Sequence, residues 1–164
     1  MRRRDTAKSS GNLRSYSWHS TSPEKAESLV EPKDELLVEH ISAGDLKRDM
    51  PYVLPPSTVI LDDNFFSQRE VLVWRYLATG CLPKEQQLMC STGYFGILVP
   101  HQHSSSSATM QLLGRDKITY KGSEHELNKF RLESDGVQWF LWVDDQYKVL
   151  KMAVPANNVE VVRD

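Results

Sequence analysis

Residues 137–154 read VQWFLWVDDQYKVLKMAV. Two apolar runs flank the turn-forming residues Asp144, Asp145 and Gln146, which is the pattern of a β-hairpin. The first run carries large apolar side chains on both faces, whereas a half-solvated strand alternates apolar with polar residues. We therefore expect either that a helix or second layer covers the second face or that this face lines an apolar cavity.

A three-residue loop would fix the register of this hairpin. It predicts the cross-strand pairs Val143–Tyr147, Leu141–Val149, Trp139–Lys151, Trp142–Lys148 and Phe140–Leu150.

Outward from the hairpin, short apolar segments alternate with turn formers, which is typical of strands in an antiparallel meander. The prolines at 51, 55 and 56 predict a connector over residues 50–58. The turn residues 114–116 are expected to separate two strands. The predicted strands are Leu13–His19, Ala26–Glu31, Glu35–Ser42, Tyr94–Val99, Ala108–Leu113, Lys117–Tyr120, Glu124–Glu133 and Asn158–Arg163.

One helix is predicted at about residues 64–78. Asp62 and Asp63 have N-cap chemistry, and Gly80 follows the last periodic turn as a C′ residue. Apolar bulk on more than one side predicts a helix buried against a sheet. Its predicted solvated edge consists of Ser67, Gln68, Arg69, Glu70 and Arg75.

These elements predict an α+β, mainly β fold, in which a curved, half-barrel-like antiparallel meander sheet packs on one main helix. Residues 1–12 are expected to be a disordered polar N-terminus and residues 13–164 a single domain. The chain of 164 residues is 40% hydrophobic and 26% charged, which argues against membrane spanning and wholesale disorder. Its 20 basic and 22 acidic residues nearly cancel, so no nucleic-acid partner is expected.

Few residues suggest chemistry. Cys81 and Cys90 are a disulfide candidate, with two free thiols as the alternative. His101 and His103 have the spacing of two metal ligands on one strand face, but an exposed polar loop explains them better, so no metal or other cofactor is expected. The pair Asp62 and Asp63 could do acid–base work, although capping is the better explanation. The common nucleotide-binding, hydrolase and metalloprotease motifs are absent.

Several segments resemble an uncharacterised group of bacterial exported proteins, of an acidobacterial type, in a family with a domain of unknown function. The resemblance covers roughly residues 12–164 and implies a curved sheet around a helix, similar to lipoprotein-carrier-like envelope proteins. It also implies that a signal peptide and further strands are missing before Leu13. The segments that carry it are Val59–Phe66, Glu70–Tyr76, Phe95–Pro100, Trp139–Asp145 and Leu150–Pro155.

The function expected on this basis is that of a non-enzymatic protein of the periplasm or cell envelope, which binds an apolar or lipid-like ligand in its concave sheet. A cytoplasmic location stays open, because the chain has no signal peptide. One alternative is an interaction module that pairs a partner strand with an open sheet edge. Another is a metal-dependent enzyme that uses His101, His103 and Asp62. The candidate ligand-binding residues are Trp74, Trp139, Phe140, Trp142 and Met152.

Overall fold

The computed structural model describes residues 2–7, 13–21, 25–54, 58–62, 66–84 and 87–164. It is mainly β, with antiparallel sheets and a single α-helix within those residues, which confirms the predicted fold class. Its contacts group the chain into two compact units: residues 1–64 with 96–106, and residues 65–95 with 107–164. The expectation of one domain over residues 13–164 stays a prediction.

The strands and the helix follow one another along the chain with short connections. Their bounds are β1 Arg2–Ala7, β2 Leu13–Ser20, β3 Ala26–Lys33, β4 Leu36–Ala43, β5 Leu46–Tyr52, β6 Val59–Ile60, α1 Phe66–Gly80, β7 Cys81–Lys84, β8 Gln87–Cys90, β9 Gly93–Val99, β10 Ser104–Tyr120, β11 Ser123–Ser134, β12 Val137–Val143, β13 Val149–Val154 and β14 Val159–Val162. Single turns of 3₁₀ helix cover Pro100–Gln102 and Pro155–Asn157.

The first unit contains a five-stranded antiparallel sheet in the order β1-β2-β3-β4-β5. Strands β2, β3 and β4 lie where the sequence predicts them. Strand β1 occupies part of the expected disordered terminus. Strand β5 occupies the start of the expected connector, and Pro51 is compatible with it because β5 is an edge strand.

A second feature of the first unit departs from the all-antiparallel prediction. Strand β6 pairs in parallel with β9, Val59 opposite Ile97 and Ile60 opposite Leu98. This pair and the five-stranded sheet share one apolar core, whose buried members are Tyr16, Val30, Leu37, Tyr52, Ile60 and Leu98.

In the second unit, β10 to β14 form an antiparallel meander, each strand pairing with the next. The sequence predicts a turn at residues 114–116, which is wrong, because β10 continues through them. Gly114, at φ +115°, lies at a shift of register between β10 and β11 and so forms a bulge rather than a turn.

The register predicted for the β12–β13 hairpin is also wrong. Val143 pairs with Val149 because the loop is longer than three residues, and an irregularity between Trp142 and Val143 shifts the register by one more residue, so that Trp142 pairs with Lys151. The Asp144 side chain accepts hydrogen bonds from the backbone N–H groups of Gln146 and Lys148, which stabilises this longer loop.

Helix α1 packs against β13 and ends at Gly80, which is its last residue rather than the residue after it. The N-cap expected at Asp62 is wrong, because this carboxylate is fully buried and hydrogen-bonds to Tyr16 and His101 instead. Asp63 lies outside the described residues.

Candidate functional site

Phe140 and Trp142 lie on one face of β12, with ring centroids 6.4 Å apart. The indole N–H of Trp142 donates a hydrogen bond of 3.0 Å to Asp116. The ammonium groups of Lys129 and Lys151 each lie 5.1 Å from the centroid of the Trp142 ring. Charged side chains therefore cover this face through cation–π contacts, where an apolar ligand was expected.

The carboxylate of Asp116 joins this cluster through two side-chain hydrogen bonds, from Trp142 and from Lys129. These bonds, the one from Trp142 first, lower the pKa of Asp116 below its ordinary value. The cluster is thus stabilised by its own opposite charges.

Trp139 and Met152 belong to the opposite face of the hairpin. Met152 is buried and lies opposite Leu141, and the guanidinium of Arg69 on α1 lies 4.6 Å from the Trp139 ring centroid. Burial lowers the pKa of Arg69 to about 10. Helix α1 therefore covers this face.

The candidate ligand-binding residues consequently do not line one cavity. Phe140 and Trp142 are on one face of the hairpin, Trp139 and Met152 are on the other, and Trp74 is 46% exposed on α1. Of these candidates, Trp74 is the one that presents a large exposed apolar surface.

The solvated edge predicted for α1 is right for Ser67, which is exposed, while Glu70 is partly exposed. Gln68, Arg69 and Arg75, predicted to face solvent, are buried. All residues of α1 are described, and its exposed ones carry no charge: Ser67, Val71, Trp74, Ala78 and Thr79. Exposed apolar and buried polar residues are the informative exceptions in a folded protein, so this outward face is a candidate binding surface.

A disulfide-linked hairpin begins where the helix ends. Strands β7 and β8 pair antiparallel, and the opposed residues Cys81 and Cys90 form the disulfide predicted from the sequence. The next pair along, Leu82 and Met89, is 74% and 57% exposed. Because directly opposed residues share one face of a hairpin, these two side chains lie side by side in solvent.

Tyr76 connects the hairpin to the rest of the second unit. Its hydroxyl donates to the backbone carbonyl of Ser91 at 2.9 Å and accepts from the backbone N–H of Leu112 at 3.1 Å. The backbone N–H of Ser91 also donates to the carbonyl of Gly80. Burial raises the pKa of Tyr76, so the phenol stays protonated and able to donate. These bonds fix the base of the hairpin to the end of α1.

In the first unit, His101 and His103 each pair with a buried carboxylate. The Nδ1 atom of His101 lies 2.5 Å from Asp62, and Nδ1 of His103 lies 3.0 Å from Glu39. The sequence raised Asp62 as an acid–base candidate. No sequence pattern singles out Glu39, which lies on β4 between β3 and β5.

The two histidines lie in a 3₁₀ turn and not on one strand face as the metal-site interpretation requires. Each imidazole faces its own carboxylate. Within the described part of the chain, no group of three or more histidine, cysteine, aspartate or glutamate side chains is arranged to hold a metal ion.

No helix among the described residues is long and apolar enough to cross a membrane. Comparison with protein-family models, with curated proteins and with solved structures finds no match for this chain. Its function is therefore inferred from the geometry given above.

Proposed function

We propose that this chain is a cell-envelope protein that binds a lipid surface through the second unit. The binding surface consists of Val71, Trp74 and Ala78 on α1 together with Leu82 and Met89 on the β7–β8 hairpin, and we call it the apolar surface. The single observation that carries the proposal is the uncharged, tryptophan-bearing outward face of α1.

The chemistry of the apolar surface suits lipid. Val71, Trp74 and Ala78 follow the i, i+3, i+7 spacing of one helical stripe. Tryptophan is favoured at membrane interfaces because its ring is apolar while its N–H can bond to polar groups. Leu82 and Met89 add exposed apolar side chains next to the end of the helix in sequence.

The size of the apolar surface argues against a stable protein partner. A standard protein–protein interface takes about 800 Å² and roughly 20 to 30 residues from each side. Five side chains are far fewer, but shallow insertion of a few apolar groups is how peripheral proteins contact a bilayer.

The disulfide supports an envelope location. Disulfides persist in oxidising compartments such as the bacterial periplasm. In this chain the Cys81–Cys90 bond clamps the hairpin that presents Leu82 and Met89. The location expected from the family resemblance and the position of the disulfide thus favour the same compartment.

Vesicle flotation tests the proposal directly. We expect the protein to float with phosphatidylcholine vesicles and Trp74→Ser to weaken binding about tenfold, the effect of losing part of one buried aromatic side chain. Trp74 is 46% exposed, and near-ultraviolet circular dichroism verifies that the variant is folded. The matched control is Val53→Ser, which removes an apolar side chain 88% exposed in the first unit.

Two kinds of result would overturn the proposal, one from flotation and one from self-association. One is equal flotation of Trp74→Ser and the unmodified protein, or no flotation of either. The other is concentration-dependent self-association, measured by light scattering, that Trp74→Ser abolishes, because the apolar surface would then join two copies of the chain.

A second candidate function is strand addition at β14. Strand β14 is the outer strand of the second unit's meander, and its Val159 and Val162 are 43% and 45% exposed. Strand β5, by contrast, carries Lys47, Arg48 and Pro51, which protect an edge against pairing. The backbone N–H of Arg163 donates to Leu150, so by the alternation of an antiparallel pair the N–H of Val162 points away from β13. A Val162→Pro variant that loses binding to a captured peptide, with vesicle flotation unchanged, would favour this function.

A further inference from the structure

The backbone turn that carries His101 and His103 occurs twice among the described residues. In both copies a valine precedes a proline that opens one 3₁₀ turn, and the turn closes on a left-handed residue. His103 has φ 48° and ψ 43°, and Asn158 has φ 50° and ψ 38°. The second copy reads Pro155-Ala156-Asn157-Asn158, so this backbone does not require histidine at either position.

The first imidazole is held by a fully buried carboxylate. Asp62 is 0% exposed and accepts a hydrogen bond of 2.8 Å from the backbone N–H of His101, besides the contact with Nδ1 of the same residue. The hydroxyl of Tyr16, also 0% exposed, donates to the other oxygen of Asp62. Both carboxylate oxygens are therefore fixed in position.

The second imidazole has the same kind of support. Glu39 is 0% exposed, and its Oε1 accepts from the hydroxyl of Ser28 at 2.6 Å and lies 3.0 Å from Nδ1 of His103. Its Oε2 accepts from the hydroxyl of Tyr52 at 2.9 Å. Burial and the bond to Glu39 raise the pKa of Tyr52, which keeps the phenol a donor.

These contacts determine which ring nitrogen of each histidine can accept a proton. Asp62 and Glu39, as carboxylates, only accept hydrogen bonds, so the proton of each neutral imidazole is on Nδ1. Nε2 then carries the lone pair. The side chains of His101 and His103 remain 37% and 43% exposed, so the rings are accessible to a small molecule.

The geometry points to an acid–base site in the first unit, in which Nε2 of His101 and of His103 takes a proton from water or from a small hydroxyl-bearing substrate. The O–H bond breaks, its electron pair stays on oxygen, and the proton forms an N–H bond at Nε2. The carboxylate behind each ring balances the imidazolium charge. Asp62 and Glu39 are positioning residues. This inference is independent of the lipid proposal.

Nuclear magnetic resonance of the ¹⁵N-labelled protein tests the assignment of the protons. At mildly alkaline pH we expect His101 and His103 to carry their proton on Nδ1. Asp62→Asn should change the tautomer of His101 and leave that of His103 unaltered, and Glu39→Gln should do the reverse. Either histidine with its proton on Nε2 in the unmodified protein would overturn the inference.

Hydrolysis of p-nitrophenyl acetate tests the activity itself. Water attacks the ester carbonyl as Nε2 removes its proton, and p-nitrophenolate leaves. We expect His101→Gln combined with His103→Gln to lower the rate at least tenfold, since a general base contributes about 10² or more. His125→Gln, on a histidine that meets the ring of Tyr120 edge-to-face, is the matched control and should keep the full rate.

Both histidines are partly exposed, so the double variant is expected to fold, which near-ultraviolet circular dichroism verifies. A folded double variant as active as the unmodified protein would overturn the inference, and so would an equal loss of rate in His125→Gln.

Discussion

At the scale of single residues, Gly93 is the position where a small side chain matters most for packing. A Cβ atom there would lie 2.7 Å from Cδ2 of Tyr76 and 2.8 Å from Cε2 of Phe95, inside van der Waals contact. Tyr76 is fully buried and cannot move aside without losing its bonds to Ser91 and Leu112. Glycine is therefore required for this close approach.

We predict that Gly93→Ala lowers the free energy of unfolding by about 1 to 3 kcal/mol, the usual cost of overpacking. Urea denaturation measures it. Gly44→Asn is the control, because no atom lies within 4 Å of a Cβ there and asparagine tolerates its φ of +58°. Equal stability of Gly93→Ala and the unmodified protein would contradict the prediction.

Tyr52 makes the free energy of unfolding vary with pH in the alkaline range. Its pKa is raised in the folded state, by burial first and then by Glu39, above the value of about 10 that an exposed tyrosine has. The stability it contributes is present below pH 10 and is lost as the pH rises beyond this value, because only the unfolded chain then releases the proton.

Tyr52→Phe should therefore cost about 1 to 2 kcal/mol at neutral pH, and the difference from the unmodified protein should shrink above roughly pH 10. Denaturation series at several pH values check this. Tyr147→Phe, on an exposed phenol, is the control and should keep the stability of the unmodified protein at neutral pH. A Tyr52→Phe difference that is constant with pH would show that the hydroxyl does not titrate this way.

Asp62 shows why residue-level roles are hard to predict from sequence. Its position just before a helix favours an N-cap role, because capping depends only on residues close by in the sequence. Its actual partners are Tyr16 and His101, which lie 46 and 39 positions away in the chain. Contacts at such separations depend on how strands pair, and no pattern near Asp62 records that.

At the scale of elements, the helix and several strands were predictable, but the buried and exposed faces of the helix were not. Alternation and turn residues place β2, β3, β4 and α1 within a few residues. The sequence-based prediction that Arg69 and Arg75 face solvent, made because both are charged, is wrong. Both side chains are buried, and the guanidinium of Arg69 lies against the ring of Trp139. An aromatic ring can accept a cation in place of water, and this exchange leaves no signal in the helical periodicity.

The β7–β8 hairpin is expected to depend on its disulfide for stability. Its strands have four residues each and depend on the Cys81–Cys90 bond, since an isolated two-stranded hairpin is marginally stable. Replacing both cysteines by serine should lower the unfolding free energy by roughly 2 to 3 kcal/mol, as expected for a short closed loop.

Thermal unfolding with and without reductant measures this effect. Reductant should bring the unmodified protein down to the stability of the double serine variant and should leave that variant unaffected. If reductant does not change the melting temperature of the unmodified protein, the bond makes no contribution to stability.

At the scale of the whole molecule, the amino-acid composition predicts the balance of charge but not the division of the chain into units. The near cancellation of 20 basic and 22 acidic residues indicates that no long-range field attracts a charged partner. Composition could not reveal two compact units, because the chain leaves the first unit after residue 64 and returns to it for residues 96–106. Such a path is fixed by tertiary contacts, among them the parallel pairing of β6 with β9.

The net charge of −2 and the uncharged apolar surface lead to a prediction about salt. Electrostatic membrane binding weakens steeply as salt shortens the Debye length, whereas apolar insertion does not. Flotation with phosphatidylcholine vesicles should therefore change by less than about twofold between 0.05 M and 0.5 M salt, conditions over which screening is strong. Adding anionic phosphatidylglycerol should not strengthen it. Release of the protein at high salt would mean that basic side chains outside α1 hold it on the bilayer, and Trp74→Ser would then be the wrong variant to weaken binding.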